Sequence, residues 1–499
     1  MSKCQLWLRL TCVAAALLGL GTTATGATLT IALSSTVNTL DPEKTTTVGT
    51  DLSVISHIYT PLVERGPDLK LRPALATSWQ AISDNVWRFV LRDGVAFPDG
   101  EPLDAAAVAW NVKRILDPRT GARNKPWYSA IREIRVVDAH TIDFVTDRPF
   151  PALPAQMAML FLLPPRWSRS HNLAMNAMGT GPYELKSFSP GDQIVLSARP
   201  DYWGDAPRFD RVVFKIIPEE SSQIASLLTG EVNFISGFPT SEIGRINHSG
   251  RAHADAVPST RAMFIRLNAL KEPFRGNPKL WKALNYAVDK KAINDALLDG
   301  KGQLEDCQIL SDAYFGFNPD LKPVPYDPAK ARQLLNEAGY PDGLTIDMEV
   351  PTGRYMQSSD IAQAVAAQFE EVNVKVRMHE MDFGVWINKY LIGRNLGVAS
   401  YTGVAWPTLE GGSMFDLWQS KNPQAFWDDV AYDRAVRLAT STLDDGKRAA
   451  AYRTISRAMC DASPIVFLFF TPTTYALTPD VRWSPRGDDW VRAMDMEPR

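Results

Sequence analysis

The amino-acid sequence predicts an α/β protein, and three observations carry that prediction. Residues 344–401 include LTIDMEV, IAQAVAAQFEEV, VKVRMHE, FGVWINKYLIG and NLGVASY, a β-α-β-α-β order that argues for a partly parallel sheet with functional loops at its strand ends. Earlier, DQIVLSAR and RVVFKII alternate apolar and polar residues with the period of half-buried strands. The chain has 499 residues, 45% hydrophobic and 22% charged, enough for two or three domains. Its net charge of -3 and pI near 6.1 give no electrostatic footprint for nucleic acid.

The N-terminus places Lys3 and Arg9 before an apolar run from about Leu10 to Leu20 and then small residues. That run is shorter than the about 20 residues a spanning helix needs, and it fits a secretory signal. Ala24 and Gly26 suit the positions before cleavage, so residues 1–26 are expected to leave and the exported chain to begin near Ala27. Cys4 and Cys12 leave with the signal, so Cys307 and Cys460 remain. In an oxidising compartment they form a possible disulfide, closing a loop worth about 4 to 5 kcal/mol on the chain-entropy model, or else stay two buried thiols.

The exported chain opens with the strand TLTIAL and the polar loop SSTVNTLDP. DLSVISHIYTPLVER reads as a helix, with Val54, Ile55, Ile58, Tyr59, Leu62 and Val63 on one face, Asp51 as cap and His57 packed within it. VWRFVLR is a strand, LDAAAVAWNVKRILDP a helix capped by Asp104, and IREIRVVDAHTIDFVTD a hairpin, so residues 66–175 mix α and β. GTGPY, Gly179–Tyr183, has two glycines as a phosphate loop does. Pro182 has no N–H to offer, however, and no Lys-Ser or Lys-Thr follows. Later helices begin near Pro278 and at Asp327, the second with Pro328 at its first position and Gly339 as its stop. The chain ends with two helices, DVAYDRAVRLATS and DGKRAAAYRTISRAMC, and the strand PIVFLFF.

Catalytic and metal constellations are missing from this pattern. None of the 6 histidines forms HxH or HExxH, no GxSxG elbow occurs, and Cys307 has no neighbouring partner to mark it as a nucleophile. Glu219-Glu220 and Asp428-Asp429 stand at helix starts, where negative charge favours the helix dipole. The sequence therefore predicts no enzyme, no catalytic residue, no metal site and no cofactor.

Eight segments stand in order along the chain: HIYTPLV, RPALATSWQ, WRFVLRDGVAFPDGEPLDAAAVAWNVKRIL, GTGPYELKSFSPGDQIVLSARPDYWG, RFDRVVFKIIPE, LLTGEVN, KALNYAVDKKAI and YDPAKARQLLNEAGYPDG. Together they resemble the extracytoplasmic solute-binding proteins of the dipeptide/oligopeptide/nickel ABC-importer family (family 5). The resemblance implies a two-lobed periplasmic binding protein fold with a hinge and an additional peripheral α+β subdomain in the first lobe, and it makes GTGPY a structural turn. Residues 27–65, 176–262 and 476–499 would form lobe I, 66–175 its peripheral subdomain, and 263–475 lobe II, with crossings near FIRLN and FLFFTPTTY. The implied function is capture of a peptide or peptide-sized polar solute by hinge closure in the periplasm. Implied partners are that ligand and the permease subunits of an ABC importer, with no nucleic acid, for a monomeric receptor.

Peptide-binding relatives tend to carry an aspartate where SYTGVAWP has Val404, and a buried ammonium without a carboxylate costs several kcal/mol. Either Glu410 or Asp382 substitutes, or the ligand has no free amino terminus. Arg354 is the nearest match to the arginine that holds a dipeptide carboxylate, with a solvated loop arginine as the alternative. Thr36 and Asn38 in the first loop, Arg354 and Tyr355 after one strand, and Tyr401, Thr402 and Trp406 after the next are the candidate cleft lining. Each aromatic among them serves equally as core. A nickel or haem (chelate) receptor of the same family, an exported enzyme reusing the fold, and a chemoreceptor or chaperone-like binding protein are the alternatives.

Overall fold

The computed structural model describes residues 26–391, 395 and 397–499; the expected signal, with Cys4 and Cys12, lies outside the described residues apart from Gly26. One sheet of eleven strands runs through the molecule. Its central pair is two long antiparallel strands, His253–Leu267 and Ile465–Leu477. On one side of them lie Ala399–Val404, Leu344–Thr352 and Val374–Asp382, the last two parallel to each other and Leu344–Thr352 parallel to Ala399–Val404 as well. This is the β-α-β-α-β unit read from the sequence, with its helices at Ser358–Glu370 and Phe383–Leu391. On the other side come Phe234–Ser236, Thr28–Leu33, Arg211–Ile216, Gln193–Ala198 and Tyr183–Ser189.

The long strands pair from His253↔Leu477 to Pro258↔Pro472 and resume at Ala262↔Phe470. Two prolines face each other at the break, and neither has an N–H to give to the ladder. The ladder between the two long strands is thus interrupted at this point. Hydrophobic cores form separately on either side. Phe264, Leu284, Met348, Val365, Trp418 and Phe467 belong to one; Leu29, Ile31, Tyr59, Phe214 and Tyr475 belong to another.

A third core, including Leu75, Phe89, Val112 and Phe144, holds a four-stranded antiparallel sheet against the helix Ala105–Leu116. That helix starts where expected, because the Asp104 carboxylate accepts from the Ala107 N–H at 2.8 Å. Asp327 does the same for the Lys330 N–H at 2.8 Å, ahead of Pro328, and Gly339 (φ 95°) ends that helix.

The helix expected across residues 51–65 is shorter than its apolar spacing suggests. It spans Ser53–Ile58, and Val63–Arg65 is a strand. Pro61 cannot continue a helix, and the Ile58 carbonyl accepts the Gly181 N–H at 2.8 Å. Asp51 is no cap, since its carboxylate accepts the Asn38 N–H at 3.2 Å. The GTGPY glycines are needed for this approach: a Cβ on Gly179 would lie 2.3 Å from the Ile58 oxygen, and one on Gly181 2.4 Å from the His57 oxygen. His57 is fully buried, with Nδ1 donating to the Ser53 carbonyl at 2.7 Å and Nε2 accepting from the Ala493 N–H at 2.9 Å. Burial pushes its pKa down to about 3, so the ring is neutral.

Cys307 and Cys460 are joined by a disulfide, with their Cα atoms 5.2 Å apart. Among the described residues no helix is long and apolar enough to cross a membrane.

Candidate functional site

A cavity of about 780 Å³ lies where the strand ends of both lobes meet the two crossings. Ser34 and Ser35, just past the strand Thr28–Leu33, line it from the first lobe, together with Glu220. Arg354 and Tyr355, just past the strand Leu344–Thr352, line it from the second lobe. Ser259, Arg261 and Thr471 form the wall at the break between them. The carboxyl ends of parallel strands leave free backbone ends and open loops, so a crevice forms there.

The charges are unevenly divided. Arg261 Nη2 is 3.2 Å from the Asp489 carboxylate, which also accepts the Thr473 hydroxyl at 3.1 Å. Arg354 has an exposed side chain on the same cavity, and the nearby Arg261 guanidinium, more than burial, lowers its pKa. Two like charges therefore share one carboxylate that is already engaged. From the first lobe comes Glu220, whose pKa is raised by burial and then by Glu219 and Glu242. This arrangement suits a solute with an anionic group toward the second lobe and a polar or cationic group toward the first.

Tyr355 forms the aromatic wall. Its hydroxyl donates to the Gly403 carbonyl at 3.0 Å, and its ring packs edge-on against Tyr401 and Phe383 at 6.0 and 5.8 Å. Gly403 has to be glycine for this contact, because a Cβ there would lie 2.4 Å from the Met263 sulfur and 2.7 Å from the Tyr355 ring.

The structure brings Arg354 and Tyr355 to this cavity and distributes the other candidates elsewhere. Thr36 and Asn38 are exposed one turn of chain beyond Ser34 and Ser35. Tyr401 is buried behind Tyr355, while the buried Thr402 hydroxyl donates to the Ser400 carbonyl at 3.3 Å. Val404 is half-buried and still within its strand, opposite Ala262. Trp406 lines a second cavity of about 360 Å³ and meets Trp127 of the peripheral subdomain at 6.4 Å. Glu410 is committed inside the second lobe: it pairs with Arg448 at 2.7 Å and accepts the Tyr452 hydroxyl at 3.1 Å. Asp382 accepts from the Gly384 N–H at 2.7 Å at the start of a helix. Glu410 is therefore not spare for a ligand ammonium, and Asp382 does not line the cavity.

Ser34, Ser35, Arg261 and Asp489 are not among the residues singled out in the sequence, and Glu220 was read there only as a charge at a helix start. Ser34 and Ser35 were within reach, being the first residues after a predicted strand. Arg261 and Asp489 were not, since 228 residues separate them. Among the described residues no group of three or more His, Cys, Asp or Glu is placed to hold a metal ion.

Residues 70–426 match the family model for bacterial extracellular solute-binding proteins, family 5 (middle). The glutathione-binding protein GsiB of Salmonella paratyphi A is 28% identical over 360 residues, covering 71% of this chain and 69% of its own. GsiB of Shigella dysenteriae is 27% identical over 451 residues, 87% of each chain. Among solved structures, the ABC transporter substrate-binding protein CtaP of Listeria monocytogenes superposes with a TM-score of 0.85 at 21% identity, over 95% of this chain and 99% of its own.

Proposed function

The chain belongs to the bacterial extracellular solute-binding proteins of family 5, and on that premise we propose that it is the periplasmic receptor of an ABC importer. It captures a peptide or peptide-sized polar solute between its lobes and hands it to the membrane permease. The observation that carries this reading is the cavity of about 780 Å³ walled by strand-end loops of both lobes and by the two crossing strands. That volume lies within the usual range for small-ligand sites, about 300–1,000 Å³, and a bend at Pro258 and Pro472 would open and close it.

In this reading the chain divides as 27–65, 176–262 and 476–499 for lobe I, 66–175 for its peripheral subdomain and 263–475 for lobe II; the separate cores support the division in outline, while Tyr475 packs in the first-lobe core, so the second crossing lies a few residues before 475. Residues 1–26 are the export signal. Arg354 with Arg261 holds a ligand carboxylate and Tyr355 packs against its body. No aspartate occupies position 404, so Glu220 of the opposite lobe is the candidate partner for a ligand cation.

The test is a native mass spectrum of the exported protein beside a denatured one, followed by thermal-shift titration with glutathione, the ligand named for the relatives. A co-purified small molecule or a glutathione-dependent rise in Tm, with compaction in small-angle scattering, is the expected result. A saturating ligand that neither compacts the protein nor responds to Arg354→Ala would place the binding site elsewhere.

A further inference from the structure

Arg266 lies on the crossing strand His253–Leu267, within the second lobe and opposite Ser400 and Ile465. Its side chain is essentially fully buried at 1% exposure, yet none of its three guanidinium nitrogens has a hydrogen-bond acceptor among the described residues. It is held instead by aromatic faces, 4.8 Å from the Tyr390 ring centre and 5.7 Å from that of Phe426. The Tyr390 phenol favours the cation but does not meet hydrogen-bond geometry. Glu349 is outside ion-pair distance of Arg266; one of its carboxylate oxygens pairs with Lys389, and its charge acts on Arg266 only from further off. A buried cation left this way is costly, and native structures rarely keep one without a use.

Its location gives it one. The helix Phe383–Leu391 covers Arg266 with Tyr390, which stacks on Trp386 at 5.0 Å; Trp386 stacks on Phe383 at 5.8 Å, and Phe383 meets Tyr355, the aromatic wall of the interlobe cavity. Trp386 is tied down by its indole N–H, which donates to the Ser400 hydroxyl at 2.9 Å. Burial raises the Tyr355 pKa, and the charges of Arg261, Arg354 and, least of the three, Arg266 oppose that rise. In a low-dielectric wall, an uncompensated charge reaches further than one that is paired or in water.

We infer that Arg266 is a specificity-determining residue that makes the second-lobe wall a three-arginine field for anionic solutes. The solute class is an acid with at least two carboxylates or an equivalent dianion. One anionic group sits at Arg354 and Arg261, and the field of Arg266 behind Tyr355 favours the second. This rests on the reading of the interlobe cavity as the ligand site.

The experiment uses the exported protein and three pairs matched in skeleton and differing in carboxylate charge: glutathione and its diethyl ester, an acidic dipeptide and its diamide, and an opine-type N-carboxyalkyl amino acid and its diester. Binding is read by thermal shift and calorimetry on wild type, Arg266→Met and Arg266→Lys. Within every pair that binds, the acid should bind at least about tenfold tighter to wild type. Arg266→Met should lose that preference, leave the esterified or amidated member unaffected, and keep a ligand-free Tm equal to or above that of wild type, because an apolar side chain replaces an unpaired buried charge. Arg266→Lys should keep the preference.

An ester or amide that binds wild type as tightly as its acid would overturn the inference while leaving the receptor reading intact. So would an acid preference that survives in Arg266→Met, or a ligand-free Tm that falls with the preference unchanged, which would make Arg266 a purely structural residue. No acid binding at millimolar concentration would also overturn it. The receptor reading itself is judged separately, by co-purified ligand and compaction.

Discussion

The second lobe contains two buried arginines in similar dress and opposite circumstances. Arg448 lies 4.3 Å from the ring centre of Phe315, as Arg266 lies 4.8 Å from that of Tyr390. Arg448 pairs with Glu410 and with Asp445, each at 2.7 Å, and the Tyr452 hydroxyl completes the network. Among the described residues Arg266 has no hydrogen-bond acceptor and no carboxylate at ion-pair distance. A satisfied buried ion pair holds its own lobe in register and projects little field, since its charges cancel at short range. An unsatisfied one keeps its field, and beside a cavity that field acts on whatever enters. The comparison separates charge that builds the lobe from charge that selects a ligand.

The strongest way to break the comparison is Arg448→Met. It leaves the Glu410 carboxyl buried without its cation, and unfolding in urea should show a loss of about 3 kcal/mol or more. An unchanged midpoint would mean that Glu410 relieves itself by taking a proton, a course its burial-raised pKa already favours. Arg354→Ala, at the exposed end of the arginine wall, should spare stability and weaken an acidic ligand roughly ten- to hundredfold, the worth of a charge-assisted hydrogen bond. Calorimetry with a binding acid decides it, and equal affinity would remove Arg354 from the site.

His57 is the third way to bury a titratable ring: keep it neutral and satisfy both nitrogens. Its folded pKa, about 3, lies below the unfolded value near 6.5, so the unfolded chain binds the extra proton between them. The stability it contributes is present above pH 6.5 and falls by about 1.4 kcal/mol per pH unit below it. His57→Gln should flatten the pH dependence of the urea midpoint over that range, and an unaltered slope would show that other groups set it. The smallest effect sharpens the comparison from outside. Asp104→Ala removes one cap in the peripheral subdomain, far from either arginine, and should cost about 1 kcal/mol with no change in ligand affinity.

Much of the fold was legible because its signals are local. Asp104 and Asp327 announce helix starts three residues ahead of the N–H groups they accept, and the strand-helix alternation from Leu344 to Val404 needs only its own periodicity to be read. The helix at Ser53–Ile58 was over-extended because its apolar spacing continues past Pro61 into a strand. In the candidate site, Arg354 and Tyr355 were legible as residues just past a strand end. Glu410 looked available only because its partner Arg448 lies 38 residues away on another helix.

By itself the sequence determined the α/β alternation, the caps and turns, the family motifs and the absence of an aspartate at position 404. Only the tertiary structure decided which charges are partnered. It gave Glu410 to Arg448, Asp489 to Arg261 across 228 residues, and no hydrogen-bond acceptor among the described residues to Arg266. The physical reason is range: a cap or a strand is set by neighbours within a few residues, whereas the fate of a buried charge depends on which distant surfaces pack around it.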